Sequence, residues 1–337
     1  MTDLFFAERT NLGSTISFSK EMVNSMDFAI KMGMYSFQIF LGGRMSCRRS
    51  KLSEKDIKDT VQMQEKFKMN INSHLPYTYN LCGNFSKRSL AWNGDKYQDK
   101  NTTESLKAIE YELDVLSNFN NKNGKAGCVL HLGSWDGGGR SGKGKVKRVE
   151  SKETKKLIEV KDLKDGIDPD DVGLLAACKS INKIDFPDNS MLLLENMTSG
   201  NKLCKDIREM QNIWSVVEQK KNVGWCIDTA HIHGEGQYDL GTIDGIDRLL
   251  VDFDSTIGLE NLKLIHLNDS MVKLGDKRDK HETIGNGFIW GGVFDKSMGA
   301  HSKDNRMSAL SYFMDKTRKI PTVLETSISD YPIIQMY

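Results

Sequence analysis

Eight short apolar runs of strand length recur along this 337-residue chain, with longer segments of helical period between them. The runs are Gly13 to Ser17, Ser36 to Leu41, Met69 to His74, Gly127 to Leu132, Met191 to Glu195, Val223 to Asp228, Leu262 to His266 and Thr322 to Glu325. Apolar residues three and four apart predict helices at 19–31, 53–67, 103–118, 170–182, 204–219, 242–257 and 305–317. Successive parallel strands need a crossover, which a helix supplies, so this alternation predicts an α/β fold with a parallel sheet. Eight repeats is the count of a closed (β/α)8 TIM barrel. We therefore expect one barrel domain over residues 1–337 with long βα-loop insertions at about 136–168 and 270–303. Ile328 to Tyr337 is poor material for a full closing helix, so the last helix is expected to be truncated or missing. Ser53 with Asp56 reads as the N-terminal cap of the second helix, and Thr103 as the opening of the third.

Composition narrows the partners. With 47 basic and 46 acidic side chains the chain is no polycation, and any contact with nucleic acid must come from local patterning. One such pattern lies between Arg140 and Lys156, where eight basic residues, among them Lys143, Lys145, Lys147 and Arg148, face only Glu150 and Glu153. The glycines around it do not form a phosphate-binding loop, because no Gly-Lys-Ser/Thr opens a helix, and no nucleotide cofactor is expected. Six cysteines without a C-x-x-C pair fit a reducing, intracellular compartment. The N-terminal apolar run, Leu4 to Ala7, falls short of the roughly 7 to 15 residues of a signal peptide. No stretch approaches the roughly 20 apolar residues that span a bilayer, so neither secretion nor membrane insertion is expected.

Six chemically related residues sit at strand ends. His74, His131, Glu195, Asp228, His266 and Glu325 each close a different apolar run, and a closed barrel would bring them over one mouth. Histidine is scarce, with seven in the chain, yet two more join the set: Asp228-Thr-Ala-His231 and Asp279-Lys-His281 each place a carboxylate and an imidazole within one loop. That donor pairing suits Zn2+ or Mn2+, and the lack of cysteine among them disfavours a structural zinc knuckle.

The segments His74-Leu-Pro-Tyr77-Thr-Tyr-Asn80-Leu-Cys-Gly83, His131-Leu-Gly-Ser134, Leu194-Glu195-Asn196, Cys226-Ile-Asp228-Thr-Ala-His231, His266-Leu-Asn-Asp269-Ser, Asp279-Lys-His281-Glu-Thr-Ile-Gly-Asn-Gly287 and Leu324-Glu325-Thr326 together resemble endonuclease IV, the metal-dependent apurinic/apyrimidinic endonucleases. The resemblance runs from about residue 70 to 327. It implies a monomeric DNA-repair hydrolase that cleaves the phosphodiester 5′ of abasic sites in duplex DNA, leaves a 3′-OH and also cleans 3′ ends. It implies three zinc ions, with Mn2+ as an alternative at one site. His74, His131 and Glu195 would hold the first, Glu195, Asp228, His266 and Glu325 the second, and His231, Asp279 and His281 the third. Glu195 and Glu325 would bear on the attacking hydroxide, Tyr77 would be the wedge filling the gap in the duplex, and Arg44 with the basic loop would contact DNA.

Some positions depart from the family pattern. Gly13-Ser14-Thr15-Ile16-Ser17 has threonine where the family usually has histidine, and the loop Leu41-Gly-Gly-Arg44-Met-Ser46 also differs. Two rivals are a sugar isomerase or epimerase, needing only Glu195, Asp228, His266 and Glu325 around one metal, and a non-catalytic nucleic-acid-binding protein relying on the basic loop. The five additional histidine and aspartate positions favour the endonuclease.

Overall fold

The computed structural model describes residues 11–18, 20–46, 48–82, 100–122, 124–134, 172–198, 202–291 and 303–335. Eight strands form the barrel: β1 (Leu12–Thr15), β2 (Ser36–Ile39), β3 (Asn70–His74), β4 (Gly124–Leu130), β5 (Ser190–Glu195), β6 (Val223–Asp228), β7 (Leu262–His266) and β8 (Thr322–Leu324). Each pairs in parallel with its successor, and β8 returns to β1 with Gly13 opposite Val323, which closes the ring.

Alternation along the strands sorts the residues into two sets. Leu192, Leu194 and Ile227 join the large apolar cluster shared with the helices. Val129, Met191, Leu193, Cys226, Leu264 and Val323 form a second, separate buried cluster that plugs the barrel interior. Five of these stand two residues before His131, Glu195, Asp228, His266 and Glu325. Since side chains two apart share a face, the same parity that fills the interior with apolar groups stacks the polar set above it. Gly127 is required in that interior, because a Cβ there would collide with the side chain of Leu193.

The helices are α1 (Met22–Lys31), α2 (Glu54–Phe67), α3 (Lys100–Leu116), α4 (Val172–Ile181), α5 (Ile207–Val216), α6 (Thr229–Glu235), α7 (Ile243–Thr256), α8 (Lys303–Lys316) and α9 (Tyr331–Ile334). Ser53 caps α2 as expected, its hydroxyl accepting from Asp56 N at 3.1 Å. Asp56 has a second task that sequence did not reveal. Its buried carboxylate accepts from Met22 N (2.8 Å) and Val23 N (2.9 Å) at the start of α1, where Glu21 makes no side-chain cap bond. The third helix starts at Lys100, so Thr103 lies inside its first turn.

Two segments read as irregular carry local order. Asp228-Thr-Ala-His231 is helical: Asp228 is the N-cap of α6, its carboxylate accepting from His231 N at 3.0 Å. Within the long connection after β7, Asp269–Ser270 pairs antiparallel with His281–Glu282. Among the described residues after β8 the chain forms only a 3₁₀ turn (Ile328–Asp330) and the single turn of α9, held where Tyr331 OH donates to Gly33 O at 3.0 Å. No helix among the described residues is long and apolar enough to cross a membrane. Lys143, Lys145, Lys147 and Arg148 lie outside the described residues.

Replacing Asp56 by alanine would strand two helix N–H groups in a buried setting. Asp56→Ala is expected to lower the unfolding free energy by about 2 kcal/mol, read from urea denaturation; a loss within experimental error would mean another group caps α1.

Candidate metal centre

The strand-end residues converge on one carboxylate. Glu195, with no exposed surface, has Oε2 2.8 Å from His131 Nε2 and 3.3 Å from His74 Nε2, and Oε1 3.1 Å from His266 Nδ1 and 3.5 Å from His231 Nδ1. Glu325 Oε2 lies 3.3 Å from His266 Nδ1. On the opposite side, Asp279 Oδ1 is 3.3 Å from both His231 Nε2 and His281 Nε2, and His281 Nε2 is 3.5 Å from Asp228 Oδ2. All nine positions singled out in the sequence are thus at one mouth. Within them, ligand atoms of His74, His131 and Glu195 lie within 4.8 Å of one another. So do those of Glu195, Asp228, His266 and Glu325, those of Asp228, His231 and His281, and those of His74, His266 and Glu325.

The imidazoles are oriented from outside the cluster. A carbonyl can only accept, so the contacts His74 Nδ1 to Leu75 O (2.6 Å) and His231 Nδ1 to Asn196 O (2.7 Å) put a proton on each Nδ1 and turn Nε2 inward. His266 is held the other way round. Gln38 Nε2 donates to Glu325 Oε1 (3.3 Å) and Thr15 Oγ1 (3.1 Å), which leaves Gln38 Oε1 to accept from His266 Nε2 at 2.9 Å. Nδ1 of His266 then faces the carboxylates.

Burial opposes charge on each of these groups, and mutual pairing overrides it at most of them. His131 and His266 hold Glu195 well below the usual carboxylate range, His266 lowers Glu325, and His231 and His281 lower Asp279. Asp228 and Asp279 raise His231 to about 10 and also raise His281, while Cys226, Glu325 and Glu195 raise His266. At His131 and Asp228 burial prevails, lowering the imidazole and raising the carboxyl. The carboxylates therefore demand positive charge at their centre. Nε2 of His74, His231 and His281 is buried, each 3.3 Å from an oxygen of Glu195 or Asp279, so the three imidazoles are aimed at the same space. Oxygen and imidazole donors around such a space fit divalent metal ions.

Around the mouth, Tyr77 is 40% exposed and its ring stacks on His131 with centroids 5.3 Å apart, while its edge meets His74 and Phe40. Burial, with Glu325 and Glu195, pushes its phenol above the usual range. The exposed Arg44 lies over the Phe40 ring at 4.9 Å, and its carbonyl accepts from Tyr77 N at 2.9 Å. Arg49 anchors that loop, pairing with buried Glu112 at 2.8 Å and donating to Gly43 O and Ser46 O.

No sequence pattern signals a role for Gln38, Asn196 or Asn268. Asn268 Nδ2 donates to Asp228 Oδ2 (2.7 Å) and Glu325 Oε2 (3.2 Å), and its Oδ1 accepts from Glu325 N (3.1 Å). Asn196 Oδ1 accepts from Asp228 N at 2.7 Å. Both asparagines stood within the quoted motifs, and Gln38 is a polar residue inside an apolar run. Lys202, unremarked in the sequence, places its ammonium 3.7 Å from Asp279 Oδ2. His233 is buried and points away, bonded to Val272 O.

A closed parallel barrel with a histidine–carboxylate cluster at the C-terminal ends of its strands defines a class, the xylose isomerase-like TIM barrel, and the model of that family matches residues 149–296. A probable endonuclease 4 of Clostridium botulinum (strain Alaska E43 / Type E3) is 30% identical over 282 residues, 83% of this chain and 84% of the relative. The chain belongs to the endonuclease IV family. The fold is shared with endonuclease IV from Thermus thermophilus, at a TM-score of 0.67 and 19% identity over 97% of this chain and 96% of that one. It is shared less closely with a D-tagatose 3-epimerase-like protein, at a TM-score of 0.55 and 14% identity over 97% and 94% of the two chains.

Gln38 gives a direct test of how the cluster is held. Gln38→Met removes the acceptor that orients His266 and is expected to weaken metal retention about 10- to 100-fold, measured by competition with a chelator. Unchanged retention would show that His266 needs no partner at Nε2.

Proposed function

We propose that this chain hydrolyses the phosphodiester 5′ of abasic sites in duplex DNA, leaving a 3′-OH, and also trims blocked 3′ ends. The observation that carries this reading is the set His231, Asp279 and His281, joined to a cluster that already holds His74 and His131 beside Glu195. A single-metal sugar isomerase or epimerase would use Glu195, Asp228, His266 and Glu325 and leave the rest without a task. Burying those further imidazole and carboxylate groups would then cost free energy with no return. A non-catalytic DNA-binding protein has even less use for such a cluster.

In this reading His74, His131 and Glu195 hold one zinc ion, Glu195, Asp228, His266 and Glu325 a second, and His231, Asp279 and His281 a third, with Mn2+ as an alternative at one of them. Bound divalent cations supply the charge that polarises a phosphodiester and acidifies water at neutral pH. The chain's own groups set the geometry. Gln38 and Asn268 fix both oxygens of Glu325, so this carboxylate is aimed at the mouth, where it can take the proton of an attacking water. Glu195, held by four imidazoles, lies across the middle of the cluster.

Selection of the substrate starts from its mechanics. An abasic nucleotide has no base pair to break, so turning it out of the duplex costs little. Tyr77 is the candidate wedge for the space left behind; it is 40% exposed while its ring rests on His131. Arg44 stands beside it, and Lys143, Lys145, Lys147 and Arg148 would add sequence-independent phosphate contacts. We take the active form to be a monomer of one domain, intracellular and without a nucleotide cofactor.

A duplex carrying one synthetic abasic site is the decisive substrate. Protein stripped by a chelator is expected to lose nicking and to regain it on adding zinc, with elemental analysis giving about three ions per chain; active protein with one ion or fewer would remove the three-metal reading. Glu325→Gln is expected to keep the fold and lower turnover by at least ~100-fold. Near-normal turnover in that variant would contradict the role given to Glu325.

A further inference from the structure

Asp279 and His281 lie on no barrel strand, so something other than the sheet must hold them. Among the described residues, the only strand pairing their loop makes is the hairpin in which His281 faces Ser270 and Glu282 faces Asp269. Beyond that hairpin the chain folds around one carboxylate. Asp269, fully buried, accepts at Oδ2 from Gly285 N (3.0 Å) and Gly287 N (3.1 Å). At Oδ1 it accepts from Ser270 N (2.8 Å), Ile289 N (2.8 Å) and Trp290 N (3.3 Å). Arg306 from α8 closes the same knot on its carbonyl side, donating from Nη1 to Phe288 O (2.8 Å) and Ile289 O (3.0 Å).

The local sequence is shaped to this carboxylate. Gly285 has φ +86°, and a Cβ on Gly287 would collide with Asp269 Oδ1 and Ser270 O. Asp269 shares none of the histidine–carboxylate groups at the mouth, and its oxygens are occupied by backbone N–H groups. A buried carboxylate that gathers five N–H groups makes strong, charge-assisted bonds, and losing it would leave those donors orphaned.

The geometry points to Asp269 as the positioning residue of the third metal site: by gathering the backbone of residues 285–290 it sets the reach of Asp279 and His281 toward His231. This rests on the proposed reading of His231, Asp279 and His281 as ligands. The alternative is a loop whose order matters only to stability, with the two ligands placed by the hairpin alone.

Two variants separate these. Asp269→Asn turns one accepting oxygen into an NH2 and so breaks the bonds to Gly285 and Gly287, or those at Oδ1. Gly287→Ala forces the loop off an intact carboxylate. Metal-free wild type and both variants are titrated with Co2+ and followed by its visible absorption, with amide hydrogen exchange over 279–291 and far-ultraviolet circular dichroism in parallel. The expected result is a retained fold, exchange at least ~10-fold faster at Gly285, Gly287, Ile289 and Trp290, and one Co2+ site weakened about 10-fold or more while the others titrate as in wild type. Excess Co2+ should restore the wild-type spectrum. Unchanged exchange, or faster exchange with an unchanged titration, overturns the positioning role. If Asp269→Asn fails to fold, Gly287→Ala decides alone. A wild type that takes up no Co2+ overturns the metal reading and this inference with it, whereas variants that titrate like a metal-binding wild type overturn this inference only.

Discussion

A carboxylate with no exposed surface is stable at the end of a strand only if hydrogen-bond donors or positive charge surround it, and Glu195 has four imidazoles within 3.5 Å. Desolvating an unpaired carboxylate costs several kcal/mol, so the barrel can close over this residue only with the partners in place. His74, His131, His231 and His266 come from four different βα units. Each is delivered by a separate strand end or its following turn. The cluster and the closed ring of strands therefore depend on each other.

The outer contacts serve this arrangement by removing choice from the rings. An imidazole has two nitrogens, and a centre built from several of them works only if each presents the right one. Backbone carbonyls take Nδ1–H of His74 and His231, and Gln38 takes Nε2–H of His266. Thr15 accepts from Gln38 and keeps that amide turned the correct way. A hydroxyl is enough at that position, because the requirement is an acceptor for one amide proton. Asn268 does the equivalent for the carboxylates, linking Asp228 to Glu325 while its own oxygen fixes the Glu325 backbone.

Four of the mouth residues make a set that a one-metal sugar enzyme on this barrel could use, and the shared fold with an epimerase-like protein is consistent with a common scaffold. What separates this chain is additional chemistry on loops rather than a different frame. His231 rides on the first turn of α6, capped by Asp228, so one carboxylate both starts the helix and faces the cluster. Asp279 and His281 ride on a connection that belongs to no barrel strand. Fold alone does not distinguish the two activities, because function resides in such grafted groups.

The strand and helix periods were legible in the sequence because they are local: apolar runs of four to six residues and apolar residues three and four apart need no knowledge of distant partners. The strand-end histidines and carboxylates were legible for the same reason, since each stands at a fixed parity from an apolar neighbour, His131 after Val129 and Glu195 after Leu193. Other features depend on which segments meet in space, and no local pattern encodes that. Asp56 looked like part of its own helix's cap yet caps α1, thirty-four residues earlier. Asp228 to His231 looked like a loop because its helix is only seven residues long, too short for a periodic signal. Gln38, Asn268 and Asp269 read as ordinary polar residues until closure set them against groups hundreds or tens of residues away. Composition and period thus determined the barrel and the residue types at its mouth, while tertiary contact alone decided which nitrogen each histidine presents and which carboxylates act as scaffolding, because a hydrogen bond is set by where two groups meet in space and sequence spacing does not specify that.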